Sequence, residues 1–147
     1  AVFQSTGANT VQCISYVKAD GTAVVATAGV SVFVGTFTID QSTTGTQAVT
    51  GVGFTVKAVI FFANQNATSE VSWGMDDGTT SKAIADYHTV TAEATVLHGE
   101  ASIATYQDGS NDHSADITTL GSDGFTITKA KNGSPTGSCV VQYIAFG

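Results

Sequence analysis

The strongest apolar pattern in the chain lies in residues 49–62, which read VTGVGFTVKAVIFF. Residues 50–53 have the glycine spacing of a turn, and residues 57–62 are β-branched and aromatic without the charge spacing of an amphipathic helix. The polar residues 64–69 then end the run. The pattern predicts a central β-strand with apolar side chains on both faces. We therefore expect both faces to be covered, by a second sheet or by a neighbouring subunit.

Shorter segments with a period of two predict further strands on either side of this run. Residues 82–94 also fit a helical spacing, but their β-branched residues favour a strand or irregular structure. Residues 107–116 form the longest polar stretch and are predicted to be a loop, and residues 132–137, with the single proline, are predicted to be a hairpin turn. The other strands are predicted at residues 11–17, 22–27, 30–40, 70–76, 95–97, 101–106, 117–120, 124–128 and 138–146.

Two of these strands carry a more detailed prediction. Strand 30–40 begins with valines at alternate positions, and we expect a bulge or bend at Gly35 and Thr36 before the pattern continues at Phe37. Strand 70–76 places its apolar residues on one face, and these residues are Val71, Trp73 and Met75. Because large aromatic side chains in strands mostly fill cores, we predict that Trp73 points inward.

Roughly ten short strands at intervals of about 8–12 residues, without alternating helices, predict an all-β fold, namely a jelly-roll-like antiparallel β-sandwich. At 147 residues the chain is long enough for a single domain with a buried core. We expect residues 34–147 to form the body of the sandwich and residues 1–33 to form an N-terminal arm or hairpin. The predicted core residues are Phe54, Ile60, Phe61, Trp73, Phe125 and Tyr143.

The N-terminal segment is almost uncharged, since residues 1–34 contain two charged side chains, Lys18 and Asp20. An apolar terminal segment needs cover, either on its own domain or on a neighbouring molecule. We predict that residues 1–17 act as an assembly arm, and the alternative is a first strand of the chain's own sheet. The apolar and aromatic residues of the predicted arm are Val2, Phe3, Val11, Ile14 and Tyr16.

The composition restricts the classes of partner. The formal net charge is −7, from 12 acidic residues against 5 lysines, and there is no arginine. Nucleic acid is therefore not expected as a partner, because phosphate binding depends on clustered Lys and Arg. A membrane is not expected either, because no apolar stretch reaches the roughly 18 residues of a span. Charged residues make up 12% of the chain, which suits a surface partly covered in an assembly.

The candidate reactive residues form no known catalytic motif. His88, His98 and His113 have no GxSxG serine, HExxH pair or CxxC partner, so we expect neither enzymatic activity nor a cofactor. Cys13 and Cys139 are interpreted as two small buried thiols. A disulfide between them would require the first and last strands to lie side by side in an oxidising compartment.

The acidic residues are concentrated in residues 70–123, which hold ten of the twelve. Solvated loops and strand ends are our interpretation of this charge, and the alternatives are a cation site and a docking face for a basic partner. Asp108, Asp112 and Asp116 are weak candidates for calcium ligands, because His113 stands where an EF-hand loop requires glycine. We therefore predict no metal site.

Residues 34–147 resemble a family of small β-rich virion proteins encoded by tailed phages and prophages. The resemblance rests on three passages: FTIDQSTTGTQAVTGVGFTVKAVIFF, SWGMDDGTTSKAIADY and GFTITKAKNGSPTGSCVVQYIAFG. The family often has proline where Val56 stands in this chain, a difference that affects local turn geometry. The resemblance implies a jelly-roll-like sandwich that is incorporated in many copies into a phage particle and has no chemistry of its own.

From this resemblance we expect a capsid decoration or cement protein, a homotrimer in the virion that is assembled in the host cytoplasm. Its partners would be the major capsid protein, whose lattice it would stabilise, or other virion proteins. Because such folds also occur in tails and fibres, the alternative is a tail or fibre module that binds a host surface glycan. The aromatic residues available for glycan binding are Trp73, Tyr87, Tyr106 and Tyr143.

Overall fold

The computed structural model describes residues 2–8, 10–15, 29–65, 70–89, 92–98 and 100–147, and these residues form twelve β-strands and no helix. The strands are β1 (Val2–Gly7), β2 (Thr10–Ser15), β3 (Val32–Asp40), β4 (Gly45–Thr50), β5 (Ala58–Gln65), β6 (Val71–Asp76), β7 (Ser81–Thr89), β8 (Ala92–His98), β9 (Ile103–Asp108), β10 (Asn111–Leu120), β11 (Gly124–Asn132) and β12 (Ser138–Phe146). The strands pair antiparallel throughout these residues. The predicted all-β class is confirmed.

Ten of the strands form two sheets that pack face to face. The larger sheet has the order β3-β12-β5-β6-β7-β8, and the smaller sheet has the order β4-β11-β10-β9. Between these ten strands the chain changes sheet four times, after β3, β4, β8 and β11. The first and last of these crossings lie side by side, because β3 pairs with β12 and β4 pairs with β11. This ribbon folded across two sheets is the feature shared with a jelly roll, whereas β5–β8 and β9–β11 are simple meanders. The predicted antiparallel sandwich is confirmed.

The core between the sheets is built around aromatic rings. Phe61 of β5 lies edge to face against Phe125 of β11 with ring centroids 5.6 Å apart, and Phe125 lies in the same way against Tyr143 of β12 at 5.1 Å. Phe37 of β3 contacts all three rings, with centroids between 6.0 and 6.4 Å away. This geometry is the favoured one for aromatic pairs. The predicted core residues Phe61, Phe125 and Tyr143 are buried, and Phe54 packs against this core from a half-buried position.

Gly35 does not form the predicted bulge. β3 pairs with β12 without a register shift, so Gly35 lies directly opposite Tyr143. A Cβ atom on Gly35 would lie 2.6 Å from the Tyr143 ring, which also stacks against Phe33 with centroids 6.1 Å apart. The glycine therefore lets the ring lie over the β3 backbone. Close approach of a neighbour and a bulge are both common reasons for a strand glycine, and the local sequence does not distinguish them.

The central strand is shorter than predicted. Val49 belongs to β4 in the smaller sheet, residues 51–57 are irregular, and β5 begins at Ala58. The irregular segment carries the chain from the smaller sheet to the larger one. Val52 and Val56 are buried along this crossing, at 4% and 1% exposure. The apolar pattern therefore continues through the crossing, and the signal that marks its start is the glycine spacing of the predicted turn at residues 50–53.

Two polar segments also differ from the prediction. Residues 107–116, predicted to be a loop, form the end of β9 and the first half of β10 around a tight turn at Gly109 and Ser110. Residues 132–137 form a turn, but it joins β11 to β12 in the other sheet and is therefore not a hairpin. Of residues 82–94, positions 82–89 belong to β7 and positions 92–94 to β8, in agreement with the favoured strand interpretation.

β1 and β2 form a hairpin of their own. β1 and β2 pair with each other and, in the part of the chain that the structure describes, with no strand of the sandwich. A lone two-stranded hairpin is marginally stable in water, so it gains stability from any surface that it contacts. Tyr16 and the predicted strand 22–27 lie outside the described residues. The other predicted arm residues lie in β1 and β2, and they are Val2, Phe3, Val11 and Ile14.

Candidate functional site

The two sheets of the sandwich have outer faces of opposite character. On the smaller sheet, the residues that alternate with core positions are small or polar, for example Thr46, Ala48, Thr50, Thr126 and Thr128. On the larger sheet they are mostly large and apolar, and we call this surface the apolar face. Its members are Val32, Val34, Ile60, Phe62, Val71, Trp73, Met75, Ile84, Val140, Ile144 and Phe146. The larger sheet is thus apolar on both sides. One side packs against the smaller sheet, and the other side is the apolar face.

The strand register joins these residues into one surface. A first row of directly paired residues runs from β3 to β6 and consists of Val34, Ile144, Ile60 and Met75. A second row runs from β5 to β7 and consists of Phe62, Trp73 and Ile84. Side chains directly opposite each other in neighbouring strands are close enough to interact. The apolar face is therefore a contiguous patch and not a set of scattered residues.

Much of the apolar face is open to solvent in the single chain. Val34 is 70% exposed, Trp73 63%, Met75 56% and Ile84 51%. Val30, just before β3, extends the exposed surface at 73%. Together these side chains expose an area on the order of several hundred Å², comparable with or above the largest patch of a typical monomer, about 300–600 Å². Contiguous patches of this size mark interaction sites.

The close approach of β9 explains why β6 turns its large residues outward. A Cβ atom on Gly74 would lie 1.8 Å from the backbone oxygen of Ser102. The Ala104 amide donates a hydrogen bond of 3.1 Å to Ser72 Oγ. The space between the sheets here admits backbone but no large side chain. The inward residues of β6 and β7 at this place are accordingly small: Ser72, Gly74, Ala83 and Ala85.

Two predicted core residues belong to the apolar face, so these predictions are wrong. Trp73 points outward and lies edge to face against Phe62, with ring centroids 5.1 Å apart. Val59 and Phe61 point into the core, so Ile60 between them points to the outer side of the sheet, where it is half-buried. A period of two shows which residues share a face, but the rest of the fold decides which face is inside.

A shallow groove of about 340 Å³ lies beside Trp73 and is lined by Ile60, Gly74, Met75, Lys82, Ala83 and Ile84. Its walls are almost entirely apolar. A groove of this kind suits aliphatic or aromatic side chains, since ligands rich in hydroxyl groups need several placed polar groups. Lys82 and the exposed Asp86 bring one charge of each sign to the β7 side of the apolar face.

The weak metal candidates do not form a site. The Asp108 carboxylate accepts hydrogen bonds from the Ser110 and Asn111 amides and from Asn111 Nδ2, which closes the turn between β9 and β10. Asp112 and Asp116 both lie in β10, and four residues along a strand span about 13 Å. Within the described residues, no group of three or more His, Cys, Asp and Glu side chains is arranged to hold a metal.

Asp76 and Cys139 are two buried groups of the interior that the sequence leaves open to a chemical role. Asp76, 1% exposed, accepts hydrogen bonds from Gly78 N at 2.7 Å, Ser81 Oγ at 2.9 Å and Ile117 N at 3.1 Å. Because Ile117 belongs to the smaller sheet, the Asp76 carboxylate links the two sheets. Cys139 is a buried free thiol, and burial raises its pKa to about 12, so the thiol is not a nucleophile at neutral pH.

His113 is also closed off from solvent, at 1% exposure. Thr105 lies opposite it in the register, and the Thr105 hydroxyl oxygen accepts a hydrogen bond of 2.6 Å from Gln41 Nε2. Burial, with a smaller contribution from the positive charge of Lys129, lowers the pKa of His113 from 6.5 to about 4. The imidazole is therefore neutral at physiological pH, and we assign it a packing role.

We expect the stability to fall as the pH is lowered from about 6.5 to about 4, because His113 has a lower pKa in the folded chain than in the unfolded chain. Below about pH 6.5 the unfolded chain takes up a proton at His113, whereas the folded chain does not until about pH 4. At pH 4 the free energy of unfolding should therefore be about 3 kcal/mol lower than at neutral pH. Urea unfolding of the wild type and of His113→Gln across this range measures the effect. The variant should lose less stability than the wild type, and equal losses would contradict the assignment.

A comparison of the chain with protein-family models, with curated proteins and with solved structures found no match. The described residues contain no helix that is long and apolar enough to cross a membrane.

Proposed function

We propose that this chain is a structural protein of a phage virion, a capsid decoration or cement protein that stabilises the head by binding the lattice of the major capsid protein. The observation that carries the proposal is the apolar face, with Trp73, Met75 and Ile84 more than half exposed. A chain that leaves such a surface open by itself is suited to an assembly in which other molecules cover it.

Two further features support the proposal. The low charge of the chain, 12% of residues, favours a surface that is partly covered. The hairpin of β1 and β2, which pairs with no strand of the sandwich in the described residues, is suited to contact a neighbouring capsid subunit. The assignment to a phage particle depends on the resemblance of residues 34–147 to small virion proteins, because a sandwich fold by itself is compatible with many functions.

To test the proposal, heads of the phage or prophage that encodes the chain are prepared without the decoration protein, and the purified chain is added to them. Co-sedimentation should show saturable binding at a stoichiometry that matches the symmetry of the capsid lattice. The bound chain should also raise the temperature at which the heads break open, because it binds the assembled state in preference to free subunits. Heads that bind no chain at saturating concentration would overturn the proposal.

Deletion of residues 1–15 separates binding by the hairpin from folding of the body. The deleted chain should keep a near-native melting temperature, because β1 and β2 pair with no strand of the sandwich in the described residues. Its occupancy on heads should fall, because the hairpin contact is lost. A sharply lowered melting temperature with unchanged occupancy would show that the segment belongs to the fold and is not an arm.

A tail or fibre module that binds a host surface glycan is the second candidate, and the 63% exposure of Trp73 favours it. The apolar walls of the adjacent groove speak against it, because they offer few partners for sugar hydroxyls. Tyr143 is buried, Tyr106 is half-buried, and the side chain of Tyr87 lies outside the described part. Since Trp73 is the single tryptophan, a saturable change in its fluorescence on adding host glycans would favour this candidate.

A further inference from the structure

We propose that the apolar face is the subunit interface of a homo-oligomer, in which it is covered by the same face of a second copy of this chain. The inference deepens the proposed function and rests on it for its place in a particle. The area, the shape and the charge of the apolar face each favour such an interface.

The area of the apolar face fits a stable interface. A standard protein interface buries about 800 Å² on each partner. The exposed parts of Val34, Trp73, Met75 and Ile84 and of the neighbouring valines already approach this size, on the order of several hundred Å². Half-buried residues such as Phe62 and Ile144 enlarge the apolar centre. A small ligand in the groove beside Trp73 would leave most of this surface uncovered, so a partner of protein size is required.

The shape of the face favours a second sheet as the partner. Two sheets with the same right-handed twist pack face to face with their strands about 30° apart and their side chains interleaved in a layer about 10 Å thick. A second copy offers a sheet of identical twist and identical apolar character. The groove beside Trp73 is wide enough, at about 340 Å³, to receive a large side chain from the facing copy.

The charge distribution favours the same partner. The chain carries a net charge of −7, so two copies repel each other through most of their surfaces. The apolar face is poor in charge, and Lys82 and Asp86 bring opposite signs to its β7 side. Neither sign predominates there, so two identical faces meet without a net repulsion. A basic partner would instead be drawn to the acidic loops that contain Asp77, Asp108 and Asp123.

The test compares two variants that each place an aspartate on an exposed strand position. Ile84→Asp puts the charge on the apolar face, and Ala48→Asp puts it on the outer face of the smaller sheet. Light scattering should give the wild type and Ala48→Asp a mass of twice the chain mass, or a higher even multiple, because the same face pairs two copies. Ile84→Asp should raise the dissociation constant of the oligomer at least roughly tenfold, because association would bury an unpaired charge.

The fluorescence of Trp73 provides a second measurement at the interface. In the oligomer the emission should be blue-shifted and protected from acrylamide, and in Ile84→Asp it should be red-shifted and readily quenched. Circular dichroism checks that each variant is folded. If Ile84→Asp does not fold, Met75→Lys, at a position 56% exposed on the neighbouring strand, replaces it with the same expected outcome.

The possible results separate the interface from the proposed function. If the wild type stays monomeric at high concentration, the proposed interface is wrong, even if the chain binds heads. An oligomer that Ile84→Asp and Met75→Lys leave intact places the interface elsewhere and also overturns the inference. An oligomer that these variants dissociate, but that binds no heads, supports the interface and overturns the role as a decoration protein.

Discussion

Replacing Phe61 by alanine should lower the free energy of unfolding by about 3–5 kcal/mol, the usual cost of truncating a buried phenylalanine. Phe61 is 1% exposed and lies in β5 at the centre of the aromatic cluster, edge to face with Phe37 and Phe125. The truncation removes these ring contacts and leaves a cavity between two sheets. The sheets cannot collapse into this cavity without breaking their strand register, so little of the cost is recovered by relaxation.

The neighbouring residue supplies a matched control for this prediction. Phe62 follows Phe61 on the same strand but points to the apolar face, where it is half-buried beside Trp73. Urea unfolding at a concentration where the chain is monomeric should show a much smaller loss for Phe62→Ala than for Phe61→Ala. Similar losses for the two variants would show that the assignment of the two faces of β5 is wrong.

The period of apolar residues located most of the strands correctly. Strands predicted at residues 70–76 and 138–146 correspond closely to β6 and β12, because each alternates cleanly between turn residues. The boundary of β5 was missed because the buried valines of residues 51–57 continue the apolar pattern while the backbone leaves one sheet for the other. A side-chain pattern reports burial, and a change of sheet can occur without any loss of burial.

The candidate site was predicted in part. The apolar residues on both sides of β5 already indicate a second covered face, and the shared face of Val71, Trp73 and Met75 is confirmed. The outward direction of that face depends on Ser72 and its contact with Ala104, which lies 32 positions later in the chain. The contact with Ala104 itself cannot be read from a local pattern. The available signal was the alternation of Ser72 and Gly74 with large neighbours, because small residues at alternate positions indicate a side without space.

The loop predicted at residues 107–116 is wrong, and this error also decides the outcome for the metal candidates. Had residues 107–116 formed a loop, the carboxylates of Asp108, Asp112 and Asp116 would have been free to converge on an ion. As a strand, β10 holds Asp112 and Asp116 about 13 Å apart. Polar residues at outward positions of a strand resemble a loop in sequence, and the pairing of β10 with β9 and β11 decides between them.

Replacing Asp76 by alanine should destabilise the sandwich by about 2–4 kcal/mol, because a buried carboxylate that accepts three hydrogen bonds is lost. The Gly78 amide lies in an exposed turn and gains water, and the Ser81 hydroxyl is free to rotate to another acceptor. The Ile117 amide is buried in the smaller sheet, and its hydrogen bond of 3.1 Å to Asp76 has no replacement. An unsatisfied buried amide accounts for much of the expected cost.

Asp77 is the matched control, since it is the next residue and is exposed. Its carboxylate accepts hydrogen bonds from the Thr79 and Thr80 amides within the turn, and both donors remain accessible to water when it is removed. Asp77→Ala should therefore cost far less than Asp76→Ala in urea unfolding. Hydrogen exchange of the Ile117 amide gives an independent measurement, and it should accelerate in Asp76→Ala and stay slow in Asp77→Ala. Slow exchange at Ile117 in both variants would show that the Asp76 carboxylate does not link the two sheets.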